Sequence, residues 1–235
     1  MTRGATVVDV GASDGVFTER MSHLVGATGQ VHAFEANPGD EPLLEAVRAR
    51  CPNVSVHITA LSDQTGEATL HVPVLHGRRS LGRASLVVPD GRRSVRHEPV
   101  PVVVSRLDDA LGEARREVTF VKCDVEGHEH AVLLGGVETL REAQPTLLVE
   151  IEHRHRDRPV AETFELLQDL GYRGFGIRGR RLLGLADFDL ERDQLRFAAS
   201  LEAADDDVST DYVHNFVFVP AAAPLPRSLQ SRVVR

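Results

Sequence analysis

Residues 7–15 read Val7-Val8-Asp9-Val10-Gly11-Ala12-Ser13-Asp14-Gly15, and Val16-Phe17-Thr18-Glu19-Arg20-Met21 follows in helical rather than alternating spacing. A short apolar run, a glycine-bearing turn and a helix start predict the first βα unit of an open α/β sheet. In such a sheet the ligand lies beyond the carboxyl ends of the strands, which puts a small molecule at this turn. A dinucleotide fold needs three glycines, G-x-G-x-x-G, for its pyrophosphate. Here Gly11 and Gly15 stand with Asp9 before the turn and Asp14 inside it. Two carboxylates repel a polyphosphate but tolerate or attract an ammonium or a sulfonium, so the ligand is expected to carry no phosphate.

The second half of the signal is Val31-His32-Ala33-Phe34-Glu35-Ala36-Asn37-Pro38. It reads as the next strand, ending in a carboxylate about twenty positions beyond the glycine turn, from where it can accept both hydroxyls of a ribose. Taken singly, the glycines explain a βα turn and Glu35 a polar strand end. Their separation joins them into a site for an adenosine with a charged, phosphate-free tail, and S-adenosyl-L-methionine is the expected cofactor.

The 235 residues suffice for one α/β domain, taken here as residues 1–220 with a tail at 221–235. A hydrophobic content of 42%, with 26% charged residues, is that of a soluble globular chain. The net charge of −8 disfavours a nucleic-acid backbone as partner. Cys51 and Cys123 form no C-x-x-C pair, which argues against a zinc knuckle or redox motif. No apolar run is long enough for a membrane span and no signal peptide precedes the first strand, so a cytoplasmic protein without membrane attachment is expected. Lys122 is the sole lysine.

Further along, Asn53–Ile58 reads as a third strand, and Ala60-Leu61-Ser62-Asp63 as the loop beyond it, where Asp63 or a backbone amide of Leu61-Ser62 can meet an adenine. The same residues also make an ordinary turn. A strand at 67–72 and another at 100–104 flank residues 73–99, polar and arginine-rich. That span is read either as a mobile cover bringing arginines to an anionic substrate or as a solvated charge run. Ser105 is the expected cap of a following helix. Val118–Asp124 and Thr146–Glu152 read as strands, with helical stretches at 133–140, broken by Gly135-Gly136, and at 160–170. Tyr172–Ile177 and Val213–Val219 close the sheet, and 185–211 forms an acidic insertion.

Five blocks, Val8–Gly15, Phe34–Pro38, Ala60–Asp63, Val121-Lys122-Cys123-Asp124-Val125-Glu126-Gly127-His128-Glu129 and Asn215–Pro220, closely resemble in order and spacing the signatures of FkbM-type S-adenosylmethionine-dependent methyltransferases. The resemblance implies a Rossmann-like class I methyltransferase fold, a mostly parallel seven-stranded sheet with helices on both faces and an antiparallel final strand. It also implies O-methylation of a small natural product, sugar or glycan. The expected cofactor contacts are Asp9, Gly11, Ser13, Asp14 and Gly15, then Glu35 and Ala36, then Ser62 and Asp63, and Asp124. Ser13 replaces the family's usual Asn. The chain starts at the first strand, so substrate enclosure falls to the basic loop or to a partner subunit, such as a second copy in a homo-oligomer.

Methyl transfer at a sulfonium requires alignment of the acceptor oxygen and removal of its proton. Asp124, Glu126, His128, Glu150, Glu152 and His153 lie at two neighbouring strand ends. Either His153 or Asp124 serves as general base, or Asp124, Glu152 and His153 bind a divalent ion, Mg²⁺ by default for oxygen ligands, that acidifies the acceptor hydroxyl. Glu126 and Glu129 alternatively favour the start of a helix. No Tyr-x-x-x-Lys pair or Asn/Asp-Pro-Pro-aromatic block is present, which argues against short-chain dehydrogenases and nucleic-acid amino-methylases. The remaining alternative is a non-catalytic S-adenosylmethionine-binding partner protein in a larger assembly.

Overall fold

The computed structural model describes residues 1–75, 78–87, 95–156, 158–197, 209–225 and 227–233. The first half of the sheet follows from apolar runs buried on both faces. β1 (Thr6–Val10), α1 (Val16–Val25), β2 (Gln30–Glu35), α2 (Glu41–Arg50) and β3 (Val54–Ile58) alternate, and the three strands are parallel. α2 takes Pro42 in its first turn, where a missing N–H costs nothing.

The chain then leaves the sheet. β4 (Ala60–Leu61), β5 (Gly66–Leu75), β6 (Arg78–Arg79) and β7 (His97–Ser105) form a separate four-stranded sheet in the order β4-β7-β5-β6. Its main ladder runs from Gly66↔Val104 to Pro73↔His97, so strand pairing extends at both ends into the span read as a loop. Pro73 and Pro99 stand at the missed ends, where a residue without an N–H reads as a strand breaker, although β7 is read through Pro101. Ser85 folds back onto His71 through two backbone hydrogen bonds of 2.8 and 3.1 Å. Glu98 takes up charge from Arg79 at 3.3 Å and Arg96 at 3.5 Å. Arg92 and Arg93, part of the predicted basic cover, lie outside the described residues.

After α3 (Leu107–Leu111), which Arg106 rather than Ser105 precedes, β8 (Val118–Cys123) returns to the main sheet beside β1. α4 (Glu129–Gly135) and α5 (Val137–Glu142) break at the two glycines, and β9 (Thr146–Glu150) follows beside β8. α6 (Val160–Asp169), β10 (Tyr172–Arg178), β11 (Arg181–Gly184), α7 (Leu190–Asp193) and β12 (Asn215–Pro220) follow, and a short helix at Arg227–Gln230 comes after the sheet. The order is β11-β10-β12-β9-β8-β1-β2-β3, with β12 antiparallel to both neighbours. This is the class I methyltransferase arrangement enlarged by one: the β10–β11 hairpin adds an eighth strand at the edge.

Phe34, Leu147, Leu167, Phe216 and Phe218 pack on one side of the sheet, and Val7, Val25, Val31 and Leu44 on the other. These side chains are essentially inaccessible, and truncating one of the leucines or phenylalanines costs about 2–5 kcal/mol. Of the acidic insertion, residues 198–208 lie outside the description. The part before them is anchored by Gln194, whose amide donates to Ile151 O at 2.7 Å and Val213 O at 2.8 Å. Among the described residues no helix is long and apolar enough to cross a membrane.

Candidate active site

The parallel strands β1, β2 and β8 end side by side, Val10 opposite both Phe34 and Cys123. Gly11 turns away at φ +76°, and a Cβ there would sit 1.8 Å from Asp124 O. The glycine thus lets the turn after β1 lie directly against the chain leaving β8. Ser13 is also left-handed, at φ +48°, and Gly15 at +80° leads into α1.

Asp9 does not face this turn's open side. It is completely buried, accepting from Thr18 Oγ1 at 2.7 Å, with Lys122 Nζ 3.5 Å away. Lys122 also reaches Asp124 at 3.3 Å and donates to Gly11 O at 3.2 Å. Burial pushes the Asp9 carboxyl up against the opposing pull of Lys122. For Lys122 burial works downward, but Asp9 and Asp124 outweigh it and the ammonium holds its proton more tightly than usual. The lysine is therefore a brace beneath the glycine turn. Asp14 is exposed and accepts from Val16 N at 3.1 Å, at the start of α1.

Glu35 accepts from Ser13 N with one oxygen and from Asn37 N with the other, each at 2.8 Å. Burial raises its pKa, and those two N–H groups partly offset it. Each oxygen keeps a second lone pair for a hydroxyl donor. The carboxylate lines a cleft at the carboxyl ends of the parallel strands. Gly11, Ser13, Glu35, Ala36 and Asp124 of the predicted cofactor set lie on its wall, as do Leu61, Glu126 and His128. Leu70 of the second sheet also lines it, with Gly82, Ala84 and Leu86 from the segment that follows β6. Asp9, Asp14, Gly15, Ser62 and Asp63 are not on that wall. Ser62 is instead buried with its Oγ 2.9 Å from His128 Nε2 and donating to Asp63 at 3.1 Å. Burial lowers the His128 pKa, against a weaker upward pull from Asp63, favouring neutral imidazole.

The segment after β8 is shaped by its own side chains. Glu129 is fully buried and folds back to accept from Val125 N at 3.2 Å, Gly127 N at 2.9 Å and Arg156 Nη2 at 2.7 Å. Gly127, at φ +102°, passes so close to His155 that a Cβ would lie 1.9 Å from its carbonyl oxygen. Glu126 is left at φ +54° on the cleft wall, and Ser85 Oγ donates to its carbonyl at 2.7 Å. Glu129 is thus an organiser of the turn rather than a residue that simply favours a helix start.

His153, expected as base or ligand, is exposed, and its backbone N–H donates to Gln194 Oε1 at 2.8 Å. The short turn over His153–His155 carries His155 inward instead. His155 is buried, with Nδ1 3.0 Å from Glu126 and Nε2 3.0 Å from Glu152. Glu152 also bonds Arg154. Asp124 is held by Lys122 and does not join Glu152 and His153 in a ligand set. Two of the three potential ligand groups among the described residues lie here, Glu126, Glu150 and His155, and Glu150, Glu152 and His214, each residue offering one donor atom and the atoms of a set lying within 4.8 Å of one another; the third, Glu19, His23 and Cys51, is elsewhere. Burial, then the charges of Asp124, Glu152 and Glu126, drive the Glu150 carboxyl well above its ordinary range. Its Oε2 is buried without a hydrogen-bond donor.

The sequence matches the family model for the methyltransferase FkbM domain over residues 9–174. Among solved structures, the chain resembles methyltransferase FkbM from Methylobacillus flagellatus KT at 17% identity and a TM-score of 0.57. That alignment takes in 93% of this chain but 44% of the other, so the chain spans less than half of that protein's length. More distant likenesses are the Methanococcus jannaschii fibrillarin pre-rRNA processing protein and the Aeropyrum pernix fibrillarin with natively bound S-adenosyl-L-methionine. Each is 13% identical. The first has a TM-score of 0.48 over 94% of this chain and 69% of its own. The second has 0.46 over 93% and 67%. At that distance neither speaks to substrate or chemistry. No curated protein matches the sequence.

Proposed function

The chain belongs to the methyltransferase FkbM domain family, and from that premise we propose that it transfers the methyl group of S-adenosyl-L-methionine to a hydroxyl of a small natural product, sugar or glycan in the cytoplasm. One observation carries the reading. The glycine turn, a buried carboxylate at the end of β2 and the acidic exit of β8 share a single cleft. Glu35 accepts the ribose hydroxyls, Ala36 and Leu61 flank the adenine, and Gly11 and Ser13 face the amino-acid tail. Asp124 and Glu126 give the cleft a negative field that favours a sulfonium.

In-line displacement needs the acceptor oxygen aligned with the methyl carbon and its proton removed as the bond forms. Glu126 is the base in this reading, because it stands on the cleft wall with His155 and then Glu152 behind it. The imidazole between two carboxylates orients Glu126 and shares the incoming proton. Methyl transfer from a sulfonium leaves neutral S-adenosylhomocysteine and a methyl ether. A divalent ion also fits: Glu126, Glu150 and His155 form an oxygen-rich donor set, and the Glu150 oxygen without a donor is the kind of atom an ion satisfies. When bound, Mg²⁺ would acidify the acceptor hydroxyl.

Calorimetric titration with S-adenosylhomocysteine tests the cofactor assignment. Wild-type protein is expected to bind in the micromolar range and Glu35→Ala at least about tenfold more weakly, a loss of about 1.4 kcal/mol. Glu35→Gln, which retains an acceptor for Ser13 or Asn37, separates loss of the ribose contact from collapse of the turn. Unchanged affinity in both variants would remove Glu35 from the site.

A further inference from the structure

A second cavity, of about 300 Å³, adjoins the cofactor cleft. The two share His128, and their walls use consecutive residues, Leu86 then Val87 and Glu126 then Gly127. A molecule whose reacting oxygen sits in the first can extend into the second. The charge reverses between them. Glu35, Asp124 and Glu126 line the first, whereas Arg156 and Arg158 line the second beside His130, whose pKa burial and then Arg158 lower towards neutral imidazole, with Asp63 its one carboxylate among the described residues.

Arg156 supplies a fixed positive charge in the cavity wall: its side chain is 3% exposed, and its terminal nitrogens donate to Thr163 Oγ1 at 3.0 Å and Glu129 at 2.7 Å. Arg158 donates to Glu162 at 3.1 Å from a guanidinium that has five N–H groups to give. His130 lies with Nδ1 3.2 Å from Thr163 Oγ1, which leaves Nε2 for a second partner. Ala131, Leu134 and Val87 supply apolar wall for a carbon skeleton.

We propose that the second cavity seats an oxyanion of the acceptor, so that the substrate is a hydroxylated molecule bearing a carboxylate or a phosphate ester. The word acceptor rests on the methyl-transfer reading above; the anion site itself does not. Carboxylate and phosphate share the chemistry recognised here, charged oxygens arranged for Arg and imidazole N–H groups.

Calorimetry tests it with inorganic phosphate in one arm and malonate in the other, in chloride buffer, on cofactor-free protein and on protein saturated with S-adenosylhomocysteine. The variants are Arg158→Gln and His130→Gln; Arg156 is left in place because Glu129 depends on it. One saturable anion per chain is expected, weakened at least about fivefold in each variant while the affinity for S-adenosylhomocysteine is unchanged. Whichever probe binds more tightly identifies the anion type. Saturable anion binding without any S-adenosylhomocysteine binding would uphold the cavity and sink the methyl-transfer reading. No saturable binding of either probe, or equal binding by wild type and both variants, would overturn the proposal.

Discussion

Lys122→Met exposes what the glycine turn rests on. The residue is 4% exposed, and its ammonium stands between fully buried Asp9 at 3.5 Å, Asp124 at 3.3 Å and Gly11 O at 3.2 Å. Methionine keeps most of the aliphatic stem but leaves Asp9 with Thr18 as its remaining hydrogen-bond partner. Removing one member of a buried pair costs about 3–5 kcal/mol, and the burial here leaves little solvent to soften it. The cost depends on pH in a definite direction. The Asp9 carboxyl is already raised by burial, and losing Lys122 raises it further. A carboxyl that binds its proton more tightly when folded favours the folded state in acid, and that advantage disappears as pH rises from about 3.9, the unfolded value, through the folded one. The deficit of Lys122→Met against wild type is therefore largest above the folded pKa of Asp9 in the variant, and it shrinks by about 1.4 kcal/mol per pH unit between that value and the lower folded pKa in wild type. Urea denaturation at about pH 8 and pH 5 is expected to show the larger deficit at pH 8. Adding Asp9→Asn to Lys122→Met should recover most of the loss near pH 8 by removing the stranded charge. A single variant within about 1 kcal/mol of wild type near pH 8, or a double variant no better than the single, would refute the bracing role.

Three other outcomes are expected. His155→Asn should lower kcat about 10²–10⁴-fold while S-adenosylhomocysteine binds as before; turnover within about threefold of wild type would exclude His155 from the proton path. Thorough chelation should depress turnover and Mg²⁺ restore it, and activity that survives chelation would exclude the ion from the reaction. Gly127→Ala should destabilise the protein by at least about 2 kcal/mol, since it combines left-handed backbone with a Cβ 1.9 Å from His155 O. A change below about 0.5 kcal/mol in urea would mean that the loop relaxes freely.

What could be read from the sequence was what is local. Val7–Gly15 and Val31–Glu35 carry their strand, turn and register in adjacent residues, and the pairing of Val10 with Phe34 brings Ser13 to Glu35. The acidic ends of β8 and β9 were visible for the same reason. Identities that depend on a tight turn were not: three residues of 3₁₀ geometry send His153 outward and His155 inward, and nothing in His153-Arg154-His155 distinguishes the two. Nor does Glu129 show in sequence that it reaches back to Val125 and Gly127, or Gln194 that it ties β9 to β12 across a segment without clear patterning. Prolines misled in the opposite way, shortening β5 and β7 in the reading although both pass through theirs in the fold. The eighth strand escaped notice because Arg181–Gly184 is too short for alternation to declare itself.

A chain with one lysine, enclosed under its first βα turn, carries a built-in reporter of its own opening. Acylating reagents find no other ε-amine in these residues, so modification of Lys122 counts the moments when β1 and β8 part. In the limit where closing outpaces acylation, the labelling rate gives the free energy of that opening directly. Slower labelling in the presence of S-adenosylhomocysteine would then measure, by mass spectrometry of a single peptide, how strongly cofactor binding secures the strand ends beneath it.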